Sequence, residues 1–280
     1  MTDVEFYLED LKSKFTKIDF DKYMLSYSGG RDSHFLYWFI KEYLKDDKIE
    51  IVGVNTHMEH KEILRRILDN SDTVLKPSME KFEIKEKYGI PCFTKKQDEQ
   101  IQRYQGGSNS KVTYDLVHQT NKSTFNLNNQ ASYLTVTNQL HKVSNKCCEF
   151  TKKKPMREYE KKVNKKGIIG VRADESKSRK DAYSSCFTKK GIFTPIFDLT
   201  NEMLAKIEKQ YKIEIPKIYD YIPRTGCMGC PYGHNIYKEL SLVSPQQQKY
   251  YYEYFKESYK VLGIDNSQQL TMNLEIDGDD

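Results

Sequence analysis

The sequence predicts an α/β fold: a parallel, twisted sheet flanked by helices, with a helical, cysteine-bearing C-terminal part. Three observations carry that prediction. Residues 20–76 alternate strand, glycine loop, helix, strand, helix, strand, an order that builds a parallel sheet. A second apolar strand pattern returns late, at Gly167-Ile168-Ile169-Gly170-Val171. The 280 residues are 38% hydrophobic and 12% aromatic, enough to bury a real core.

Each element has its own signal. Residues 4–17 place apolar side chains at helical spacing and predict a lead-in helix. Asp21–Tyr27 reads as a short buried strand running straight into Ser28-Gly29-Gly30. After Asp32-Ser33, the run from His34 to Leu44 has the apolar face of a helix. Glu50–Val54 predicts the next strand, Lys61–Asp69 a helix, and 72–76 a third strand. Residues 103–145 are rich in Asn, Gln, Ser and Thr, and Gly106-Gly107-Ser108 interrupts them, so they read as a mobile lid or an insertion. Ile192–Leu199 is irregular around Pro195, Asn201–Tyr211 is helical, and Leu240–Leu262 is a tyrosine-bearing helix. The acidic tail Glu275–Asp280 is expected to be loose.

The expected organisation is a lead-in helix over 1–19 and a nucleotide-binding domain over 20–240. Within it, 103–165 forms a polar, basic insertion or lid. A helical segment with the acidic tail follows over 241–280. Net charge is +5, a mild excess that suits a phosphate-bearing small molecule and permits nucleic acid. The longest apolar run, Phe35–Ile40, is far too short to span a bilayer, and the start lacks a secretory pattern. The expectation is a cytoplasmic protein with no membrane partner.

The chemistry begins at Ser26-Tyr27-Ser28-Gly29-Gly30-Arg31-Asp32-Ser33. A phosphate needs several converging N–H donors. Small residues let the backbone approach it, and the following helix offers its positive N-terminal end. The Walker pattern G-x-x-x-x-G-K-[ST] is absent. The segment resembles the SGGxDS signature of the PP-loop ATP pyrophosphatases. That resemblance implies an adenine nucleotide alpha hydrolase-like, HUP/Rossmann-like fold. It also implies that the backbone of Gly29, Gly30 and Arg31 and the hydroxyls of Ser28 and Ser33, with Ser26 alongside, hold the phosphates of ATP. Arg31 stands where lysine is commoner, which keeps the charge and changes the hydrogen-bond geometry. Asp32 would cap the helix or help hold Mg²⁺.

A second phosphate motif follows the late strand, at Gly170-Val171-Arg172-Ala173-Asp174-Glu175-Ser176-Lys177-Ser178-Arg179. Two arginines with carboxylates between them suit a polyphosphate clamp, because each guanidinium donates two parallel N–H groups. The plainer alternative is a solvated helix start with surface ion pairs. The stretch resembles the G-x-R-x-x-E-S-x-x-R of PAPS-reductase-like proteins, which makes Arg172 and Arg179 the clamp candidates and Glu175 a weaker one. Asp32, Arg172 and Arg179 form the candidate catalytic set.

Six cysteines occur, at 92, 147, 148, 186, 227 and 230, and in a reducing compartment they argue for metal or catalysis over disulfides. Cys147-Cys148 with the distant Cys227-Met228-Gly229-Cys230 offers four thiolates to zinc or to a [4Fe–4S] cluster. The adjacent pair is awkward for a tetrahedral zinc knuckle. The pattern resembles the cluster ligands of assimilatory APS reductases and of phosphorothioation sulfurtransferases, down to Pro231-Tyr232-Gly233 and the flanking Lys146 and Lys152. Cys92 and Cys186 read as small buried hydrophobes, with a sulfur-accepting role as the alternative.

Two enzyme readings compete. A sulfonucleotide reductase acting on APS or PAPS needs a thiolate nucleophile, and none follows Cys230. Reductases of this kind also usually depart from SGGxDS at the glycine loop, whereas this chain keeps it. Both points favour ATP-dependent adenylation of a substrate followed by sulfur transfer. A non-catalytic nucleotide- or redox-sensing module is the third class. A sulfur-donor protein, a nucleic-acid substrate and an oligomeric state are all compatible with the sequence. The lysines at 152, 153, 154, 161, 162, 165 and 166 suit a polyanion as well as they suit a solvated surface. His57, Glu59 and His234 are noted but left outside the catalytic set, and the tyrosines over 249–254 read as packing.

Overall fold

A computed structural model describes residues 2–264 apart from Ser176 and His234. The acidic tail and those two residues therefore lie outside the described residues. The chain divides into two compact units. One contains the chain up to Lys76 together with Pro155–Thr225, and the other contains Pro77–Lys154 with the chain from Gly226 onward.

The first unit holds a four-stranded parallel sheet in the order β3-β2-β1-β4, with β1 Tyr23–Tyr27, β2 Glu50–Val54, β3 Thr73–Leu75 and β4 Lys166–Ile168. Leu25 is central, registering with Ile51 on one side and Ile168 on the other. All three are fully buried, as befits a parallel sheet covered on both faces. Helix α1, Asp3–Phe15, starts at a capping box in which Thr2 and Glu5 satisfy each other's backbone N–H groups. Val4, Leu8, Leu11 and Phe15 recur at helical spacing on its buried face. They join Phe35, Phe39, Phe193, Ile196 and Leu204 in one core, where each fully buried side chain contributes about 2 kcal/mol.

Most element expectations hold within a residue or two. β1 is shorter than expected because Phe20–Lys22 forms a 3₁₀ turn whose cap is Asp19. Helix α2 spans Arg31–Trp38 and continues as a π-turn over Phe39–Tyr43. Helix α3 is Lys61–Asn70, and another helix covers Asn201–Tyr211 as expected.

In the second unit, the polar stretch after residue 102 is folded. Helices α4 Lys81–Tyr88, α5 Lys95–Gln105, α6 Lys111–His118 and α7 Asn129–Val136 belong here, with Thr94, Ser110 and Asn128 capping the last three. Cys92, Ile101, Val117, Leu127, Ala131, Leu140 and Val143 form a core of their own. Cys147 and Cys148 lie in a short helix, Lys146–Cys148, that continues into the π-turn Glu149–Lys153. A further helix, Pro245–Leu262, buries Tyr251, Tyr254, Phe255 and Tyr259. Among the described residues, no helix is long and apolar enough to cross a membrane.

Candidate functional site

The glycine loop joins β1 to α2. Gly29 has φ +69°, a left-handed conformation, and a Cβ there would stand 2.7 Å from the Ile63 carbonyl oxygen of α3. Only glycine fits this position. Gly30 is the N-cap of α2 and makes no side-chain cap hydrogen bond, which leaves the first-turn amides to other acceptors. The Ser28 and Ser33 hydroxyls are 3.0 Å apart, and the Ser33 hydroxyl donates to the Gly30 carbonyl at 3.0 Å. Ser26 lies on β1, where its hydroxyl would be 3.2 Å from a Cβ on Gly167. The Arg31 N–H donates to the Tyr219 hydroxyl at 2.8 Å, and that hydroxyl is itself 3.0 Å from Thr225 Oγ1.

The second motif lies against this loop. A Cβ on Gly170 would come within 2.9 Å of the Asp32 carbonyl carbon, so the chain leaving β4 presses on the first turn of α2. Arg172 Nε donates to Asp32 Oδ1 at 2.7 Å, and its Nη1 donates to Asn201 Oδ1 at 2.9 Å. Asn201 is fixed in turn by Asp174, which accepts its backbone N–H at 2.8 Å. Arg179 pairs with Glu175 at 2.8 Å. The Arg31 guanidinium forms a two-pronged contact with the carboxylate of Glu208, which is 5% exposed. The motifs expected to converge thus lie together, but their guanidiniums are all engaged with carboxylates. Arg172, itself 5% exposed, is placed to hold Asp32 in position. Sequence reasoning missed Glu208, Asn201 and Tyr219, because nothing local marks a residue that becomes a partner only through the fold.

The four cysteines of the proposed cluster belong to the second unit and are neighbours. Burial pushes the Cys147 thiol up to about 12, with Cys227 and Cys148 adding to the rise. Burial likewise raises Cys148, while Lys95, Lys152 and Lys153 pull it back. Cys230 is raised well above its ordinary value by burial, then by Cys227, Cys148 and Cys147. The loop carrying Cys227 and Cys230 is pinned at Gly229, whose N–H donates to Glu239 at 3.0 Å and whose carbonyl accepts the Tyr259 hydroxyl. It is pinned again at Tyr232, whose hydroxyl donates to the fully buried Asp98 at 2.6 Å. Asp98 also accepts the N–H groups of Cys92 and Phe93 at 2.7 and 3.0 Å. The Tyr254 hydroxyl points to Cys147 Sγ at 3.9 Å.

Among the described residues, no set of three or more Cys, His, Asp or Glu side chains is arranged for a metal ion. The donor set is soft nonetheless: four cysteines of one unit, of which Cys147, Cys148 and Cys230 are raised by burial, with lysines beside Cys148. Cys148 also borders a cavity of about 440 Å³ with Lys95, Lys146, Lys153 and Glu149 on its wall.

The other noted residues are placed structurally. Cys92 is fully buried and its thiol is pushed up to about 12, while burial also raises Cys186. Glu59, 5% exposed, accepts the Thr56 hydroxyl at 2.5 Å and the Thr56 N–H at 3.2 Å, which organises the loop carrying His57. Tyr251 and Tyr254 are core residues, in keeping with the packing expectation.

The model of the phosphoadenosine phosphosulfate reductase domain matches residues 93–232, half of the chain. This chain belongs to that family. The matched span begins after the glycine loop and takes in Cys147, Cys148, Arg172, Arg179, Cys227 and Cys230, together with the Asp98–Tyr232 contact. The parallel sheet flanked by helices is the α/β architecture expected of a PAPS reductase-like protein. Among solved structures, the chain is similar to the phosphoadenylyl-sulfate (PAPS) reductase of Candida auris in its phosphate complex. That likeness is at 11% identity and TM-score 0.41, over 76% of this chain and 83% of that one. No curated protein matches.

Proposed function

We propose that this PAPS reductase-like protein is an ATP pyrophosphatase-type sulfurtransferase. It would adenylate a substrate oxygen with release of pyrophosphate and then exchange AMP for sulfur. The observation that carries the reading is the start of α2 at Gly30, which has no side-chain cap of its own, is backed by Gly29 and braced by the Arg172–Asp32 contact, and where a phosphate would take the Arg31 N–H from the Tyr219 hydroxyl. That arrangement offers amide donors and a helix end to the triphosphate of ATP. The backbone of Gly29, Gly30 and Arg31 and the hydroxyls of Ser28 and Ser33 would hold the phosphates, and Ser26 would line the strand beneath. Asp32 would supply a carboxylate to Mg²⁺, which commonly binds through one or two carboxylates plus substrate phosphates. Arg179 would steady the polyphosphate from the second motif.

Cys147, Cys148, Cys227 and Cys230 would hold a [4Fe–4S] cluster, with zinc as the alternative. The cluster would supply thiolate-ligated iron able to bind or relay sulfur. The lysine-lined cavity at Cys148 suits an anionic substrate or donor, a nucleic-acid backbone included. The reductase reading, acting on APS or PAPS, has the family's name in its favour. It lacks a poised nucleophile, since burial raises both cysteines outside the quartet, Cys92 and Cys186.

The test is anaerobic purification with iron and sulfide analysis, then titration with ATP, APS and PAPS and an assay of pyrophosphate release. Iron with sulfide and ATP binding are expected. Stoichiometric zinc without iron would end the cluster assignment, and sulfite formation from PAPS would replace the transferase with the reductase.

A further inference from the structure

The thiol unit is built from two stretches of chain, and each carries one cysteine pair. Cys147 and Cys148 belong to Pro77–Lys154, and Cys227 and Cys230 to the stretch from Gly226 onward. The distance between the pairs is therefore set by what ties the two stretches together. At Gly229, the loop between Cys227 and Cys230 is tied to Glu239 and Tyr259, both of its own stretch. Tyr232, just past Cys230, reaches further: its hydroxyl donates to Asp98 of the other stretch at 2.6 Å. Its ring also lies 5.8 Å from Lys95 Nζ. Asp98 and Lys95 are both on α5, and α5 places Lys95, Glu99 and Gln102 on the wall of the cavity that Cys148 borders. Tyr232 thus joins the second cysteine pair to the helix that flanks the first.

Asp98 is held firmly for that contact. It is fully buried, and it reaches back over the start of α5 to accept the N–H groups of Cys92 and Phe93 at 2.7 and 3.0 Å. Cys92 in turn belongs to the core of Ile101, Val117 and Leu127. The three groups that donate to Asp98 are all neutral. A carboxylate buried on neutral donors costs stability that an apolar side chain of similar volume would not, and what it supplies instead is a fixed geometry. We propose that Asp98 is a positioning residue for the cysteine quartet. Acting through Tyr232, it fixes the Cys227–Cys230 loop against α5, at the spacing from Cys147 and Cys148 that lets four thiolates hold one metal centre. The inference rests on the reading of the four cysteines as one ligand set, and it adds the residue that keeps the two pairs in register.

The test compares the anaerobically purified wild type with Tyr232→Phe, Asp98→Asn and the double variant. It reads the release of bound iron to a chelator and the electron paramagnetic resonance spectrum of the reduced protein. Bound zinc would be followed by its release in the same way. Tyr232→Phe removes one hydroxyl and leaves the ring and the backbone bonds to Asp98 in place. It is expected to release metal about tenfold faster, as for loss of a group that orients a metal ligand, and to change the spectrum. The double variant should be no faster than Asp98→Asn alone, because both substitutions remove the same bond; additive losses would contradict this. Gln130→Ala removes a different hydrogen bond between the two stretches, to the Val261 carbonyl, and should leave release within about twofold. Wild-type release and spectrum in a folded Tyr232→Phe overturn the assignment. So does a Gln130→Ala that matches Tyr232→Phe, since any bond between the stretches would then serve. If Asp98→Asn does not fold, Tyr232→Phe and Gln130→Ala decide. A wild-type chain that holds neither iron nor zinc overturns the ligand-set reading itself, before any variant is compared.

Discussion

The glycine-loop unit and the thiol unit prepare for their ligands in opposite ways. Around the loop, charge is already balanced within the protein: Arg172 with Asp32, Arg31 with Glu208, Arg179 with Glu175. The geometry there is fixed by ion pairs and by one left-handed glycine, with no side-chain cap from Gly30 on the start of α2. In the thiol unit, burial dominates at the cysteines, and the lysines beside Cys148 offset it only in part. Cys147, Cys148 and Cys230 are all raised by burial, and Asp98 is pushed up to about 6 by its desolvation against three hydrogen bonds that favour the carboxylate. The first region is held in place by its own ion pairs. The second is one in which a bound cationic group would relieve an existing cost.

The largest expected effect separates the two regions outright. Cys227→Ser should remove most of the bound iron and sulfide while leaving ATP affinity within about twofold, since substitutions at independent sites add to within a few tenths of a kcal/mol. Metal analysis and ATP titration on the same preparation check this. Retained iron, or ATP binding lost along with it, would break the comparison.

Next in size is Arg172→Ala. It strands Asp32 beside the helix start and removes a buried pair, a loss of about 3 kcal/mol. Denaturant melts would show it. If Arg172 instead served only as a phosphate clamp, stability would change little and nucleotide affinity would carry the whole effect.

The smallest effect is a difference in acid response. His34 sits against Tyr27 and Tyr37 with Arg66 nearby, and burial pushes it down to about 4. Its folded value lies below an unfolded value of about 6.5. The stability from keeping it neutral is therefore whole above about pH 6.5 and is lost as the pH falls toward 4. In the thiol unit, His141, beside Ser258, Glu257 and Lys85, is also pushed to about 4 and loses stability over the same window. Asp98 has the opposite sign there. Its folded value near 6 exceeds an unfolded value of about 3.9, so its burial cost eases as the pH falls from about 6 to 4. Peptide-resolved hydrogen exchange near pH 7 and near pH 5 should show the glycine-loop unit opening first. Earlier opening of the thiol unit would contradict this.

These contrasts explain what was legible in the sequence. The β1–loop–α2 segment was readable because its signals are local: a buried strand, two glycines with steric reasons for being there, and a helix N-terminus. The three other strands showed as short β-branched runs. The α5–α7 region was not readable, because Ile101, Val117, Leu127 and Leu140 are scattered among polar residues and show their common core only once folded. The site was half legible for the same reason. Gly29, Arg172 and the cysteine quartet announce themselves by pattern. Glu208, Asn201, Tyr219 and Asp98 are ordinary in sequence and acquire meaning only from distant partners.

The most direct measurement is competitive binding of ATP and PAPS to the anaerobically purified chain with Mg²⁺ present. ATP bound in preference to PAPS, with pyrophosphate released on turnover, is the expected result. PAPS bound while ATP is refused would contradict the transferase reading and make the chain a sulfonucleotide reductase.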